Sequence, residues 1–165
     1  MRSWDDYKKT MPTELDIWQA AKLCDLTRLK ALVSNGANIN AKDHRGYSPL
    51  MLAVYSGQAD ASEFLLSLKA DPNSTDLGGN SVLMGAAFKG HLHLVQKLLA
   101  AGADPLQRNS SGLSALDFAS TFGRKEVVKC LALRVSDKPQ PRLKSFIKLI
   151  ASRIASRPAT KIKSV

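Results

Sequence analysis

Apolar residues in this chain come in short runs that open on a serine and close on a glycine. In "SPLMLAVYSG", Leu50 and Ala53 stand three apart between Ser48 and Gly57, and the same order returns in "SVLMGAAFKG" and "SALDFASTFG". A serine before such a run accepts hydrogen bonds from the free amides of a helix start. Pro49 suits the first helical position, and the glycines at 57, 90 and 123 suit a helix end. Each run therefore predicts a short helix. A second run follows it, where "LVQKLL" and "VVKCLAL" show the i, i+3, i+4 spacing of an amphipathic helix. These second helices are expected at about 60–69, 92–101 and 125–134. Between the pairs, "KADPNSTDLGGN" and "GADPLQRNSSGL" are rich in Asp, Pro, Asn and Gly, the composition of a turn or projecting hairpin.

The runs keep a strict frame. Gly46, Gly79 and Gly112 are spaced by 33, as are Leu50, Leu83 and Leu116; Ala53, Ala86 and Ala119; Gly57, Gly90 and Gly123; and Leu65, Leu98 and Leu131. A degenerate copy lies one period upstream, where Ile17, Ala20, Leu32 and Gly36-Ala37-Asn38 fall in phase. The frame thus holds four copies, each a pair of antiparallel helices. No such unit buries its apolar face alone, so neighbours must stack into a solenoid. The segments "GYSPLMLAVYSG", "GNSVLMGAAFKGHLHLVQKLLAAGAD" and "GLSALDFASTFGRKEVVKCL" resemble ankyrin repeats over roughly residues 13–135. The period, the glycines, the small alanine, Gly90-His91 and the "GAD" carry the likeness. The family's Thr-Pro-Leu-His opening becomes Ser48-Pro49-Leu50-Met51, Ser81-Val82-Leu83-Met84 and Ser114-Ala115-Leu116-Asp117, keeping the hydroxyl and losing the histidine. The expected architecture is all-α: a degenerate capping repeat at 13–42, repeats at 43–75 and 76–108, and a last repeat at 109–135.

The resemblance implies a concave groove, lined by hairpin tips and by the outer side of each first helix. The tip positions fall on His44, Arg45 and Tyr47, then Leu77, Gly78 and Asn80, then Ser110, Ser111 and Leu113. The helix positions fall on Lys22 and Leu23, Tyr55 and Ser56, Phe88 and Lys89, and Thr121 and Phe122. One helical turn earlier on the same face stand Trp18, Met51, Met84 and Asp117. Stacked repeats would line these residues up as a ladder of aromatic and thioether side chains, the types interfaces favour. Packing between repeats is the competing reading of Met51 and Met84, and partial cover by neighbouring helices that of Phe88 and Phe122. The residues expected to meet a partner are Trp18, Lys22, His44, Arg45, Tyr47, Met51, Tyr55, Leu77, Asn80, Met84, Phe88, Lys89, Leu113 and Phe122.

Composition adds little to that picture, but charge adds a second candidate. A chain of 165 residues with 44% hydrophobic content makes one domain, or one with an appendage. The opening residues lack the apolar core of a secretory signal, and no run approaches the ~18 apolar residues of a membrane span, so a cytoplasmic location is expected. Cys24 and Cys130 stand far apart and are expected as reduced thiols in apolar slots. Of the net +10, residues 136–165 carry +7, from eight of the 24 basic side chains against the single acid Asp137. There "SDKPQP" reads as a linker, and in "RLKSFIKLIASRIASR" Leu143, Phe146, Ile147, Ile150 and Ile154 share one face of a basic amphipathic helix at about 141–157. Three roles compete for it: a cap on the last repeat, a ligand for an anionic membrane or a partner's groove, and, less well supported because it lacks aromatics for base stacking, a nucleic-acid binder. Trp4 and Tyr7, in an extension at 1–12, are expected to cover the first repeat in the same manner as a cap.

Catalytic chemistry finds no foothold. His44, His91 and His93 have no cysteine or acid cluster at zinc spacing beside them. The resemblance gives His91 a structural role in hydrogen bonding between loops. The serines sit at caps and turns rather than beside a base, and no glycine loop ends in Lys-Ser or Lys-Thr. The sequence thus predicts a non-enzymatic module without cofactor. It would bind another protein, with an enzyme that it inhibits or protects against as one reading and a passive adaptor as the rival. Peripheral membrane or anionic-polymer binding through the basic helix is the alternative from another class.

Overall fold

The computed structural model describes residues 14–137, with side chains from 17 to 136. The expected N-terminal extension and the basic helix at about 141–157 lie outside the described residues. Eight helices follow one another among these residues: α1 Glu14–Leu23, α2 Leu26–Ser34, α3 Pro49–Tyr55, α4 Ala59–Ser67, α5 Val82–Lys89, α6 Leu92–Ala100, α7 Ala115–Thr121 and α8 Lys125–Asp137. They form four antiparallel pairs. The first helices α1, α3, α5 and α7 pack side by side in one row, and the second helices α2, α4, α6 and α8 in another. Helix α8 runs past its expected end to Asp137, and the Ser136 hydroxyl donates to Ala132 O at 2.9 Å. Pro139 disfavours helical backbone at the residue before it, Lys138, so a helix reaching Asp137 stays short of that restriction.

Local chemistry starts the first helices at the predicted serines and stops them at or just before the predicted glycines. The hydroxyls of Ser48, Ser81 and Ser114 accept from the amides of Met51, Met84 and Asp117, three residues into each helix. In two repeats the third residue reciprocates, as the Met84 sulfur takes the Ser81 amide at 3.3 Å and the Asp117 carboxylate the Ser114 amide at 2.8 Å. At the other end, one bond repeats in all four units: Asp25, Gln58, His91 and Arg124 donate backbone N–H to Ala20, Ala53, Ala86 and Ala119 O at 2.8–3.1 Å. This closes the last turn and reverses the chain into the second helix.

The core runs continuously through the stack. Leu50, Leu65, Leu83, Leu98 and Leu131 are fully buried or nearly so, each stabilising the fold by about 2 kcal/mol on area grounds. Ala53, Ala86 and Ala119 are wholly buried, which lets the first helices lie close. Leu116 keeps the leucine frame but is half-buried, since no described repeat follows to cover it.

The hairpins are locked by one repeated turn. Asp43 Oδ1 accepts from the amides of Arg45 and Tyr47, Asp76 Oδ1 from Gly78 and Asn80, and Asn109 Oδ1 from Ser111 and Leu113. Burial pushes the Asp43 carboxyl pKa up, but the two amides and the Arg45 guanidinium outweigh it and hold the pKa below its ordinary value. Successive hairpins are then joined by backbone bonds, Leu77 N–H to Arg45 O and Ser110 N–H to Gly78 O, both 3.1 Å. Gly46 permits the first of these, because a Cβ there would stand 2.9 Å from Leu77 N. A strip of side chains reinforces the seam: Asn40 Oδ1 takes the Asp71 amide and Asn73 Oδ1 the Asp104 amide. Among the described residues, the β-structure is a single bridge between Thr75 and Ser81.

One column shows the frame overriding residue preference. Gly36 and Gly102 end their second helices at φ 86° and 95°, and Lys69, which occupies the same position between them, is held at φ 67°. A side chain costs about 1–2 kcal/mol in that region. Lys69→Gly is therefore expected to raise stability by up to about 1 kcal/mol. Gly102→Lys, with nothing within 4 Å of a new Cβ, should lower it by a similar amount. Urea unfolding of both variants checks the pair, and equal shifts in one direction would contradict it.

Candidate functional site

The first-helix row and the hairpin tips meet along a groove, and three aromatic side chains run along it. Tyr55, at the end of α3, stacks on Phe88 of α5 with ring centroids 5.9 Å apart and 14° between planes. Phe88 meets Phe122, just past α7, edge to face at 4.5 Å and 83°. Tyr55 is 45% and Phe122 46% exposed, while Phe88 between them is half-buried. Lys89 lays its ammonium over this row, 4.4 Å from the Tyr55 centroid and 5.6 Å from that of Phe88. At the far side Arg124 Nε donates to Phe88 O at 3.0 Å, fixing the end of α5 against the next repeat.

Beside the rings lies a pocket of about 250 Å³. Tyr47, Asp76 and Asn80 from the hairpins form one wall, and Met51, Tyr55, Met84, Gly85 and Phe88 from α3 and α5 form the floor and the other wall, with Phe118 of α7 at the end. Met51 and Met84 are 5% and 1% exposed. They do not project as rungs of a thioether ladder. The neighbouring first helix covers each of them, and they contribute the base of the pocket. The Met84 sulfur is in addition committed to the Ser81 amide.

Other expected contact residues divide in the same way. Trp18 is half-buried and its indole N–H donates to Ala41 O at 3.2 Å, which ties α1 to the first hairpin. Asn80 is spent within the scaffold: its amide nitrogen holds Asp76 and its oxygen accepts from Asn109 Nδ2 at 2.7 Å. Asp117, on the same row as the methionines, is drawn back to cap α7, and the Ser114 hydroxyl and amide hold its pKa below the ordinary value. Tyr47 is half-buried under the Arg45 guanidinium, 4.7 Å from the ring, and Arg45 also pairs with Asp43 at 3.3 Å. Lys22, His44, Leu77 and Leu113 are exposed, Leu77 to 79%.

Leu52, expected with Leu50 and Ala53 to hold the stack, is half-buried and lines the pocket. It is joined there by Gly85 and Phe118, which carried no site expectation from the sequence although their column held a signal. Leu52, Gly85 and Phe118 are one period apart, so a glycine stands in mid-helix where both neighbouring repeats carry a bulky side chain. Among the described residues no three His, Cys, Asp or Glu side chains converge as metal ligands. His93 bonds Glu63 at 3.0 Å on the second-helix row, where Lys97 also reaches that carboxylate. None of the described helices is long and apolar enough to cross a membrane.

The fold is a helical-repeat solenoid whose unstacked face carries apolar and aromatic side chains, the class that recognises other macromolecules by surface complementarity. Two family models, both described as "Ankyrin repeats (many copies)", match residues 17–66 and 65–119. The chain belongs to the ankyrin repeat family. It is also similar to a protein of Aspergillus oryzae named "Ankyrin repeat domain-containing protein oryK", 38% identical over 56 residues, which is 34% of this chain and 9% of that relative. Ankyrin repeats are generally protein–protein interaction modules.

His91 corrects one expectation drawn from the resemblance. Its side chain forms no hydrogen bond between loops among the described residues. The ring instead packs against the preceding repeat, with Cε1 and Nε2 3.0 Å from where a Cβ on Gly57 would stand. Burial, then the charges of Lys89 and Arg124, hold its pKa below the ordinary 6.5. Below 6.5 the unfolded chain takes up this proton before the folded one, so stability falls as pH drops from 6.5 through the folded value. His91→Gln should flatten the decline between about pH 7 and pH 5.5, as read by urea unfolding across that range.

Proposed function

We propose that this chain binds a partner protein in the groove between its first helices and hairpin tips, and that binding covers a working surface of that partner. The observation that carries this reading is the contact row Tyr55–Phe88–Phe122, whose outer rings remain nearly half-exposed along the first-helix row. Exposed aromatic rings in contact with each other are a standing cost in water. They also supply large rigid contact areas of the kind that dominates binding energy. Lys89, whose ammonium lies over Tyr55 and Phe88, borders this row as a rim contact, and the exposed Arg45 and Leu77 add contacts from the hairpin tips. Where the covered surface includes an active site, the consequence is inhibition; where it does not, the consequence is tethering.

The double variant Tyr55→Ala/Phe88→Ala separates docking surface from core. Its thermal unfolding midpoint should drop by only a few degrees, since one ring is exposed and the other half-buried. Recovery of the bound partner from an extract of the source organism, quantified by mass spectrometry, should drop at least tenfold, which corresponds to about 1.4 kcal/mol. Unfolding of the variant would place the rings in the core. Undiminished recovery would place the binding surface elsewhere.

A further inference from the structure

Gly85 occupies a position where nothing in the fold requires glycine. It lies inside α5, where glycine is a poorer helix former than any residue but proline, and it is absent from the residues with positive φ. A Cβ built on it would meet one atom within 4 Å, Tyr55 Cδ2 at an ordinary 3.5 Å. This contrasts with Gly46 and Gly90, where the added atom would come within 2.9 and 2.8 Å of a neighbour. The adjacent repeats place Leu52 and Phe118 in this column. The missing side chain opens the pocket of about 250 Å³ between Met51, Tyr55, Met84 and Phe88. That volume is below the 300–1,000 Å³ of sites for whole small ligands, yet above the roughly 150 Å³ that holds a benzene ring. It suits one inserted side chain.

Charge narrows the occupant further. The carboxylates near the groove are hydrogen-bonded within the scaffold: Asp43 by Arg45 and two amides, Asp76, on the hairpin wall of the pocket, by Asn80 and Gly78 with its charge retained, and Asp117 by Ser114. Lys89 contacts only rings among the described residues, and its ammonium stands over Tyr55 at the border of the pocket. We propose that the Gly85 pocket is a socket for one bulky apolar side chain of an acidic partner segment, whose nearby carboxylate pairs with Lys89. This rests on the groove reading and adds to it the chemistry of the occupant. The segment leaves its apolar residue where Leu52 and Phe118 leave a gap, so the partner completes the row of this repeat protein with its own side chain.

A phage-displayed library of random dodecapeptides, selected on the full chain, tests the socket. The expected selection is peptides sharing one leucine, isoleucine, methionine or aromatic position with Asp or Glu close by. Affinities of a selected peptide are then compared by fluorescence anisotropy. Gly85→Leu, which fills the pocket, should weaken binding at least tenfold, and Lys89→Glu several-fold with partial recovery when the peptide's acid becomes lysine. Replacing the peptide's apolar residue by alanine should cost at least tenfold on the native chain and almost nothing on Gly85→Leu. Gly85→Ala, which should unfold at a higher temperature than the native chain, gives an intermediate loss and serves if the leucine variant fails to fold. Full binding to both Gly85 variants, with loss on Tyr55→Ala/Phe88→Ala, overturns the socket and leaves the groove standing. Full binding to all of them overturns both. A library that yields no such peptide overturns the socket.

Discussion

Each repeat of this protein has an apolar face on both sides, and only another repeat in register can hide it. That constraint accounts for the small residues, since Ala53, Ala86 and Ala119 are wholly buried where first helices meet. It also accounts for the hairpin chemistry. A polar seam of Leu77 to Arg45, Ser110 to Gly78, and the amides held by Asn40 and Asn73 runs beside the apolar one. The apolar contacts supply most of the stabilisation, and the seam supplies the register, because a slip of one residue would leave several backbone groups without partners. A fixed period of 33 is thus a physical requirement on both seams.

Much of this was legible in the sequence because the devices involved are local. A serine three residues before the amide that donates to it, or a glycine at a helix end, fixes its own neighbourhood, and these predicted the caps at Ser48, Ser81 and Ser114. What stayed hidden depends on surfaces that only form in the stack. Met51 and Met84 share a helical face with exposed residues, and only the adjacent helix decides that they are covered. Asn80 reads as a tip residue but is recruited by Asn109 of the next hairpin. Lys69 and Cys24 stand at left-handed positions, φ 67° and 59°, where the frame elsewhere uses glycine. There the stack imposes the conformation against residue preference, a cost spread over many contacts.

The same logic separates scaffold from surface. A residue that stacking leaves exposed is under no packing constraint, and in this chain such positions carry Tyr55 and Phe122, with Phe88 half-buried between them, rather than the polar side chains that would cost least in water. Their mutual geometry is set by the repeat. Helix-to-helix spacing brings Tyr55 and Phe88 to 5.9 Å, and the one-residue shift of Phe122 past the end of α7 turns its ring edge-on. Rings held by neighbours lose less freedom on binding than isolated ones, so the ordering cost of an interface has already been met in part by folding.

Electrostatics along the groove follow from the scaffold as well. The turn chemistry that registers the hairpins consumes its acids: Asp43 and Asp76 accept several hydrogen bonds each, and Asp117 serves as a helix cap. Their charge remains, but it is directed at backbone amides and at Arg45 and Asn80. Among the basic side chains, Arg45 pairs with Asp43, Lys42 donates to Thr75 O and Arg108 to Gly112 O within the hairpins, whereas Lys22 is exposed on α1 and Lys89 lays its ammonium over the Tyr55 and Phe88 rings. Long-range attraction sets encounter rates more than final affinity, and it is screened over about 8 Å at physiological salt. The acids therefore shape the loops, and under the proposed function the rings and the pocket would provide contact area while the exposed cations would bias which partners arrive at the groove.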